Sequence, residues 1–215
     1  NDESYISQSL VIATGGLSVP KIGATSFGYE IAKKFGLDVL ETLPALVPLT
    51  FNEKILEMCK ELTGLSIQAI VSFNKVLFQE GMLFTHRGLS GPSILQISSY
   101  WKQGGNIKVN LSPKLNVYEF LQKKRKLNPK LDITNIMGDI LPKRLAQIIC
   151  SENKVTGNIS ELSNKTLKQL SHAINTWIIN PTGSEGYRTA EVTLGGVNTK
   201  ELSSQTMMSN KHKGL

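Results

Sequence analysis

Cysteine is scarce in this sequence, and its two cysteines, Cys59 and Cys150, lie far apart. Neither belongs to a C-x-x-C pair or stands at a metal-ligand spacing, which excludes zinc ribbons and disulfide-dense secreted scaffolds. We expect two small buried thiols in a reducing compartment and no metal site. No apolar run approaches the roughly 20 residues that cross a bilayer. The sequence therefore predicts a cytoplasmic protein without a membrane partner.

Common catalytic motifs are missing as well. The chain contains no G-x-S-x-G, no H-E-x-x-H, no Walker lysine loop and no paired-carboxylate arrangement, so hydrolase and phosphotransferase activities have no support. It also contains no G-x-G-x-x-G, which excludes a dinucleotide-binding fold that stands alone.

The chain is nevertheless globular and basic. Of 215 residues, 40% are hydrophobic and 19% charged, and the formal net charge is +7, which is typical of a folded protein with a core. Part of the excess lies in the run Lys123–Lys126 and in the tail around His212. No aromatic residues alternate with this run and no nucleic-acid reader motif accompanies it. We interpret it as a solvated helix face and expect nucleic acid to be an unlikely partner.

The pattern changes along the chain. The stretch "SLVIAT" (9–14) predicts a buried strand that ends at Gly15-Gly16, and "SFGYEIAKKFG" (26–36) predicts a helix that stops at Gly36. Short alternating apolar segments with glycine turns follow, then helical periodicity, then a strand with a second glycine pair. We predict four parts: 1–43, a β-rich part from 44–116 and 179–194, a helical part at 117–178, and a return segment at 195–215.

Two motifs are candidates for a site. In Ala13-Thr14-Gly15-Gly16, glycines after a strand allow backbone N–H groups to approach a ligand, and Thr14 offers a hydroxyl. In "FTHRGLSGPSIL" (84–95), Ser90-Gly91-Pro92 predicts a helix start that favours an anion. His86 could then donate a proton and Arg87 could pair with the anion. A tight turn, a capped helix and a solvated arginine explain the same residues without any ligand.

Taken together, these segments resemble the HI0933-like family of FAD-dependent flavoproteins. The resemblance rests on "VIATGGLSVPKIGATSFGYEIAKKFG", "PALVPL", "GMLFTHRGLSGPSILQIS", "LPKRLA" and "GSEGYRTAEVTLGGVNTKELSSQTMMSNKHKGL", which follow one another in family order from residue 10 to 215. It implies a multidomain α and β fold. A β-barrel-like subdomain and a small helical subdomain would be flanked by pieces of a split, Rossmann-like FAD-binding domain.

The resemblance also implies roles for individual residues. Ala13, Thr14, Gly15 and Gly16 match the family turn that lies close to the dinucleotide. The loop at 84–92 matches a segment that faces the flavin or substrate cleft. Its candidates are Thr85, His86, Arg87, Ser90 and Gly91, with His86 as the candidate catalytic residue.

The resulting hypothesis is the insert region of an FAD-dependent oxidoreductase that uses NAD(P)H on a small organic substrate. The insert would shape the substrate cleft over the flavin, and the rest of the FAD-binding domain would be its partner. We expect this chain alone to be a fragment with little activity and no retained FAD. The alternative is a non-catalytic module whose basic face binds nucleic acid or another acidic partner.

Overall fold

A computed structural model describes residues 3–215 of the chain. The chain forms two compact units: unit 1 comprises the residues up to Val47 together with Glu185–Leu215, and unit 2 comprises Pro48–Ser184. Unit 2 therefore begins and ends inside the segment that the predicted boundaries at 43/44 and 194/195 enclose. The described residues contain no helix that is long and apolar enough to cross a membrane.

The described chain contains both helices and strands. The helices are α1 (Phe27–Lys34), α2 (Glu53–Glu61), α3 (Pro92–Ser98), α4 (Val117–Leu127), α5 (Ile133–Gly138), α6 (Lys143–Glu152) and α7 (Asn164–Asn175). The strands are β1 (Val39–Ala45), β2 (Leu49–Thr50), β3 (Ser66–Phe73), β4 (Val76–Thr85), β5 (Gly88–Ser90), β6 (Ile107–Asn110), β7 (Trp177–Ile179), β8 (Gly183–Ser184) and β9 (Val192–Val197). The predicted mixed α and β fold is thus confirmed.

Unit 2 is built on one antiparallel sheet of seven strands in the order β7-β6-β3-β4-β5-β2-β8. Its longest pairing joins β3 to β4 from Ser66 opposite Leu83 to Phe73 opposite Val76, across a two-residue turn in which Asn74 has φ 54°. The sheet ends at β8, where Leu49 of β2 is paired with Ser184 and Thr50 with Gly183.

The four helices α4 to α7 occupy the predicted helical stretch. Asn116, Asp132 and Ser163 cap α4, α5 and α7 by accepting hydrogen bonds from backbone N–H groups of the first turn. Pro142 lies at the N-cap position of α6, one residue before the helix begins. Buried residues of these helices and of the sheet form one continuous hydrophobic cluster.

Asn175, the last residue of α7, ties α7 to both the sheet and α4. Its Nδ2 lies 3.0 Å from Asn110 Oδ1, 3.2 Å from the Ser112 oxygen and 3.0 Å from the Leu115 oxygen. Its Oδ1 accepts the backbone N–H of Val117, the first residue of α4, at 3.0 Å. One amide side chain therefore fixes where α4 begins.

In unit 1 the predicted helix is confirmed as α1, and Gly36 follows it with φ 67°. The predicted strand at 9–14 is wrong: this stretch is irregular and exposed, and the side chain of Val11 is 82% exposed. A buried strand needs a neighbouring strand, whereas here a single backbone hydrogen bond joins Leu10 N–H to the Gly214 oxygen at 2.7 Å.

Strands β1 and β9 form the two-stranded sheet of unit 1. Gly195 and Gly196 lie inside β9, opposite an irregularity of β1 between Leu40 and Leu43. A Cβ on Gly195, whose φ is 84°, would collide with the Glu41 carbonyl oxygen. The predicted strand with its second glycine pair is confirmed, and the pair accommodates a bulge in the sheet.

Candidate functional site

The segment with Thr85, His86 and Arg87 forms the tight turn between β4 and β5. Thr85 Oγ1 accepts the backbone N–H of Arg87 at 3.2 Å and donates to the Gly88 carbonyl oxygen at 3.1 Å. His86 and Arg87 are exposed at the tip of this turn, while Thr85 is half-buried. Thr85 therefore shapes the turn, and the two other side chains remain accessible for a substrate.

The glycines of the same segment are explained by close backbone packing. Gly88 has φ 145°, and a Cβ there would collide with the Leu49 carbonyl oxygen. A Cβ on Gly91, which has φ 87°, would lie 2.8 Å from the Gly81 oxygen. At both positions the absence of a side chain lets β5 and the start of α3 pack closely against neighbouring backbone. This packing explains the two glycines without any ligand.

The predicted helix start is confirmed, but its cap differs from the expectation. Gly91 is the N-cap of α3, and Ser90 is the last residue of β5, where it pairs with Leu83. Ser93 in the first turn is buried and donates its Oγ hydrogen to the Gly81 oxygen at 3.1 Å. This short helix is packed into unit 2, and we assign it no anion.

The Ala13–Gly16 turn of unit 1 borders a cavity of about 410 Å³. Thr14 and Gly15 line it. Gly15 has φ 74°, and a Cβ built on it would have no atom within 4 Å beyond its chain neighbours. Ala13 is exposed and does not line the cavity. On Gly16, a Cβ would lie 2.9 Å from both Thr193 Oγ1 and Tyr29 OH.

Thr193 of β9 positions this turn. Its Oγ1 accepts the backbone N–H groups of Leu17 at 3.0 Å and Ser18 at 3.2 Å. No sequence signal points to Thr193, because its partners lie 175 and 176 residues away along the chain. The pairing of β1 with β9 is what places Thr193 beside the Ala13–Gly16 turn.

The cavity can be tested against the flavin that the sequence resemblance implies. Its lining is mainly apolar and includes Leu10, Ile12 and Met208, which suits the faces of an aromatic ring system. No lysine or arginine of the described chain lines it, so nothing in this lining neutralises a pyrophosphate. The residues fit the ring of such a group and not its phosphates.

The positive charge is concentrated in unit 2. Counting Lys and Arg against Asp and Glu gives +8 for residues 48–184 and −1 for the remainder of the chain. The net charge of +7 therefore comes from the sheet and the helices α2 to α7.

The run Lys123–Lys126 is only partly the solvated face that the sequence predicts. Lys124 Nζ pairs with Asp139 Oδ2 at 2.6 Å. Arg125 donates from Nη1 to the Leu162 oxygen at 3.0 Å and from Nη2 to Asn164 Oδ1 at 2.6 Å. Lys123 and Lys126 are exposed. The two middle residues of this run thus make contacts within the fold, and the two outer residues face solvent.

Both cysteines are buried free thiols, as predicted. Burial raises the pKa of Cys59 to about 12, and it also raises the pKa of Cys150. Neither thiol is suited to act as a nucleophile at neutral pH. Within the part of the chain that the structure describes, no group of His, Cys, Asp and Glu could hold a metal ion.

Comparison with known proteins identifies the family and several relatives. A family model described as "HI0933-like protein barrel and H2TH domain" matches residues 43–192. A ribosomal RNA dihydrouridine synthase of Escherichia coli is 44% identical over 97% of this chain and 52% of its own length. One from Haemophilus influenzae is 41% identical over the whole chain and 54% of its own length. A 3-dehydro-bile acid delta(4,6)-reductase of Clostridium scindens is 24% identical over 99% of the chain and 55% of its own length.

The chain spans about half the length of these curated relatives. The two most identical of them carry names that specify an RNA substrate. On this finding, two predictions are wrong: the oxidoreductase insert over a small organic substrate, and nucleic acid as an unlikely partner. The finding favours the alternative of a basic face for nucleic acid. No reader motif accompanies the lysines, so the sequence alone gives that alternative little support.

Proposed function

Because the chain belongs to the HI0933-like family, we propose that it is part of a ribosomal RNA dihydrouridine synthase and that unit 2 provides much of its RNA-binding surface. The observation that carries this proposal is the 44% identity to the Escherichia coli enzyme of that name over 97% of the chain. Ribosomal RNA is a cytoplasmic substrate in bacteria, so the proposal includes a cytoplasmic location.

The charge distribution supports the same proposal. A protein that binds RNA neutralises phosphates with Lys and Arg, and its affinity depends on how many such contacts form. Unit 2 carries the whole positive excess of the chain. A small organic substrate would give no reason for such a distribution, whereas a large polyanion does.

The proposed chemistry reduces the C5–C6 double bond of uridine by adding one hydride and one proton. A bound flavin would supply the hydride, and NAD(P)H is the proposed source of its electrons. Thr14 and Gly15, which line the cavity, remain the proposed contacts to the flavin from this chain, with Ala13 and Gly16 in the same turn. Their cavity has no cationic lining, so the phosphates would need contacts from outside it.

The hairpin turn supplies the proposed substrate contacts. His86 and Arg87 are exposed at its tip, where they could reach an RNA strand, and His86 remains the candidate catalytic residue. Thr85, Ser90 and Gly91 would act indirectly, because their side chains or backbone hold the turn and the adjoining helix.

The test is complementation of an Escherichia coli strain that lacks the 44%-identical relative. The full-length protein that contains this chain is expressed, and dihydrouridine in the ribosomal RNA is measured by mass spectrometry as a gain of two hydrogens per modified uridine. We expect the modification to return. Normal expression of folded protein without any dihydrouridine in the RNA would overturn the proposed function.

A further inference from the structure

The packing of α4 against α7 brings separate lysines onto one surface. Arg125 of α4 bonds to Leu162 and to Asn164, the first residue of α7. At the other end, Asn175 binds the N–H of Val117. The helices therefore run antiparallel, and the C-terminal half of α4 lies beside the N-terminal half of α7.

We propose that the surface formed by Lys123, Lys126, Lys165 and Lys168, here called the α4–α7 basic surface, binds the phosphate backbone of the RNA substrate. Lys123 and Lys126 come from the last turns of α4, and Lys165 and Lys168 come from the first turns of α7. All four are exposed. This inference rests on the proposed function and adds the place where the RNA lies.

The charges of this surface are not neutralised by the protein. Within residues 3–215, none of the four lysines forms an ion pair with a carboxylate. Neighbouring acidic groups have other partners: Asp139 pairs with Lys124, and Glu161 accepts a hydrogen bond from Asn158 Nδ2 at 3.0 Å. None of the four ammonium groups is therefore held by a carboxylate of the described chain, and each can contact an external anion.

One lysine of the α4–α7 basic surface, Lys168, is also held in place before any ligand arrives. Lys168 Nζ lies over the ring of Tyr118, 5.6 Å from its centroid, and Gln122 Nε2 donates to Tyr118 OH at 3.0 Å. The contact of Lys168 with Tyr118 and the bond of Arg125 to Asn164 join α4 to the N-terminal half of α7. Less side-chain freedom is then lost when a phosphate binds.

The sequence shows only part of this surface. Lys123 and Lys126 are visible as a basic run, but Lys165 and Lys168 lie some forty residues later among polar residues. Their association depends on how α7 returns along α4. The basic run therefore reveals only two of the four lysines, because its two middle residues make contacts within the fold.

The inference is tested by RNA binding of the full-length protein with the double variant Lys126→Ala/Lys168→Ala. The probe is deproteinised ribosomal RNA from a strain that lacks the relative, titrated by filter binding between 50 and 300 mM salt. Each lost phosphate contact reduces the slope of log affinity against log salt by about 0.7 to 0.9. At 0.15 M salt, two lost contacts then weaken binding by about 15- to 30-fold and lower the slope by about 1.4 to 1.8.

The matched control is Lys60→Ala/Lys75→Ala, which removes the same charge from exposed positions on α2 and on the β3–β4 turn. We expect it to bind within a few-fold of the wild type. Equal affinities and slopes for both double variants would overturn the α4–α7 basic surface while leaving the proposed function intact. A wild-type protein that does not bind this RNA at all would overturn the proposed function itself.

Discussion

Asn175 offers a sharp test of how unit 2 is held together, because one side chain joins α7, β6 and α4. Replacing it by alanine removes an acceptor for the N–H of Val117, whose side chain is fully buried. It also removes two amide hydrogens, which three oxygens share. At about 1 kcal/mol for each net hydrogen bond, the Asn175→Ala variant loses about 3 kcal/mol of unfolding free energy.

The assay is urea unfolding followed by tryptophan fluorescence. The chain has two tryptophans, Trp101 and Trp177, and both lie in unit 2, packed against its core. Their signal from this chain therefore reports unit 2 alone. For a slope of about 3 kcal/mol per molar urea, the transition midpoint falls by roughly 1 M.

The matched control is Asn128→Ala, since Asn128 is an exposed asparagine at the end of α4. Its loss should stay within about 0.5 kcal/mol. A loss for Asn175→Ala below about 1 kcal/mol, or one equal to that of the control, would refute the reasoning. It would mean that solvent replaces these hydrogen bonds at little cost.

Two further outcomes follow from the packing. Gly88→Ala should destabilise unit 2 by about 2 kcal/mol or more, since a Cβ would collide with the Leu49 carbonyl oxygen. Gly104→Ala, at φ 82° with open space around it, should cost about 1 kcal/mol, and equal losses by the same fluorescence assay would argue against the collision. Cys59 should resist iodoacetamide at pH 8 in the folded protein and react once urea unfolds it, as mass spectrometry of the alkylated peptide would reveal; rapid labelling of the folded protein would contradict its burial. Because its folded-state pKa is about 12 and the unfolded value is about 8.5, the contribution of Cys59 to stability is full below about pH 8.5 and is lost as the pH rises toward 12.

The elements that sequence patterns predicted well are those that local chemistry specifies. The helix α7 begins after Ser163 because that side chain caps it, and its apolar positions Leu167, Leu170 and Ile174 are all buried. The hairpin of β3 and β4 likewise follows from alternating residues on either side of a short turn. Such signals are contained within about a dozen neighbouring residues.

The features that sequence patterns missed depend on distant partners. The stretch 9–14 has the composition of a buried strand, yet strand formation requires neighbouring strands that an apolar run cannot specify. Thr193 and Lys168 acquire their positions from contacts with the Leu17–Ser18 backbone and with Tyr118, far away in the sequence. The proposed RNA substrate is hidden from sequence patterns for the same reason, since the proposed basic surface comes from two helices and leaves no linear motif.

The pairing of β2 with β8 has a consequence for how this protein could be rearranged. Leu49 faces Ser184 and Thr50 faces Gly183, so the two ends of unit 2 are cross-strand neighbours, about 5 Å apart at their Cα atoms. A segment with such ends can be closed by a short hairpin loop or grafted into another host chain through two short joints, as domain insertions generally require. The close ends of unit 2 therefore favour its transfer between related proteins as one segment. Such an exchange would transfer all of the positive charge excess of this chain together.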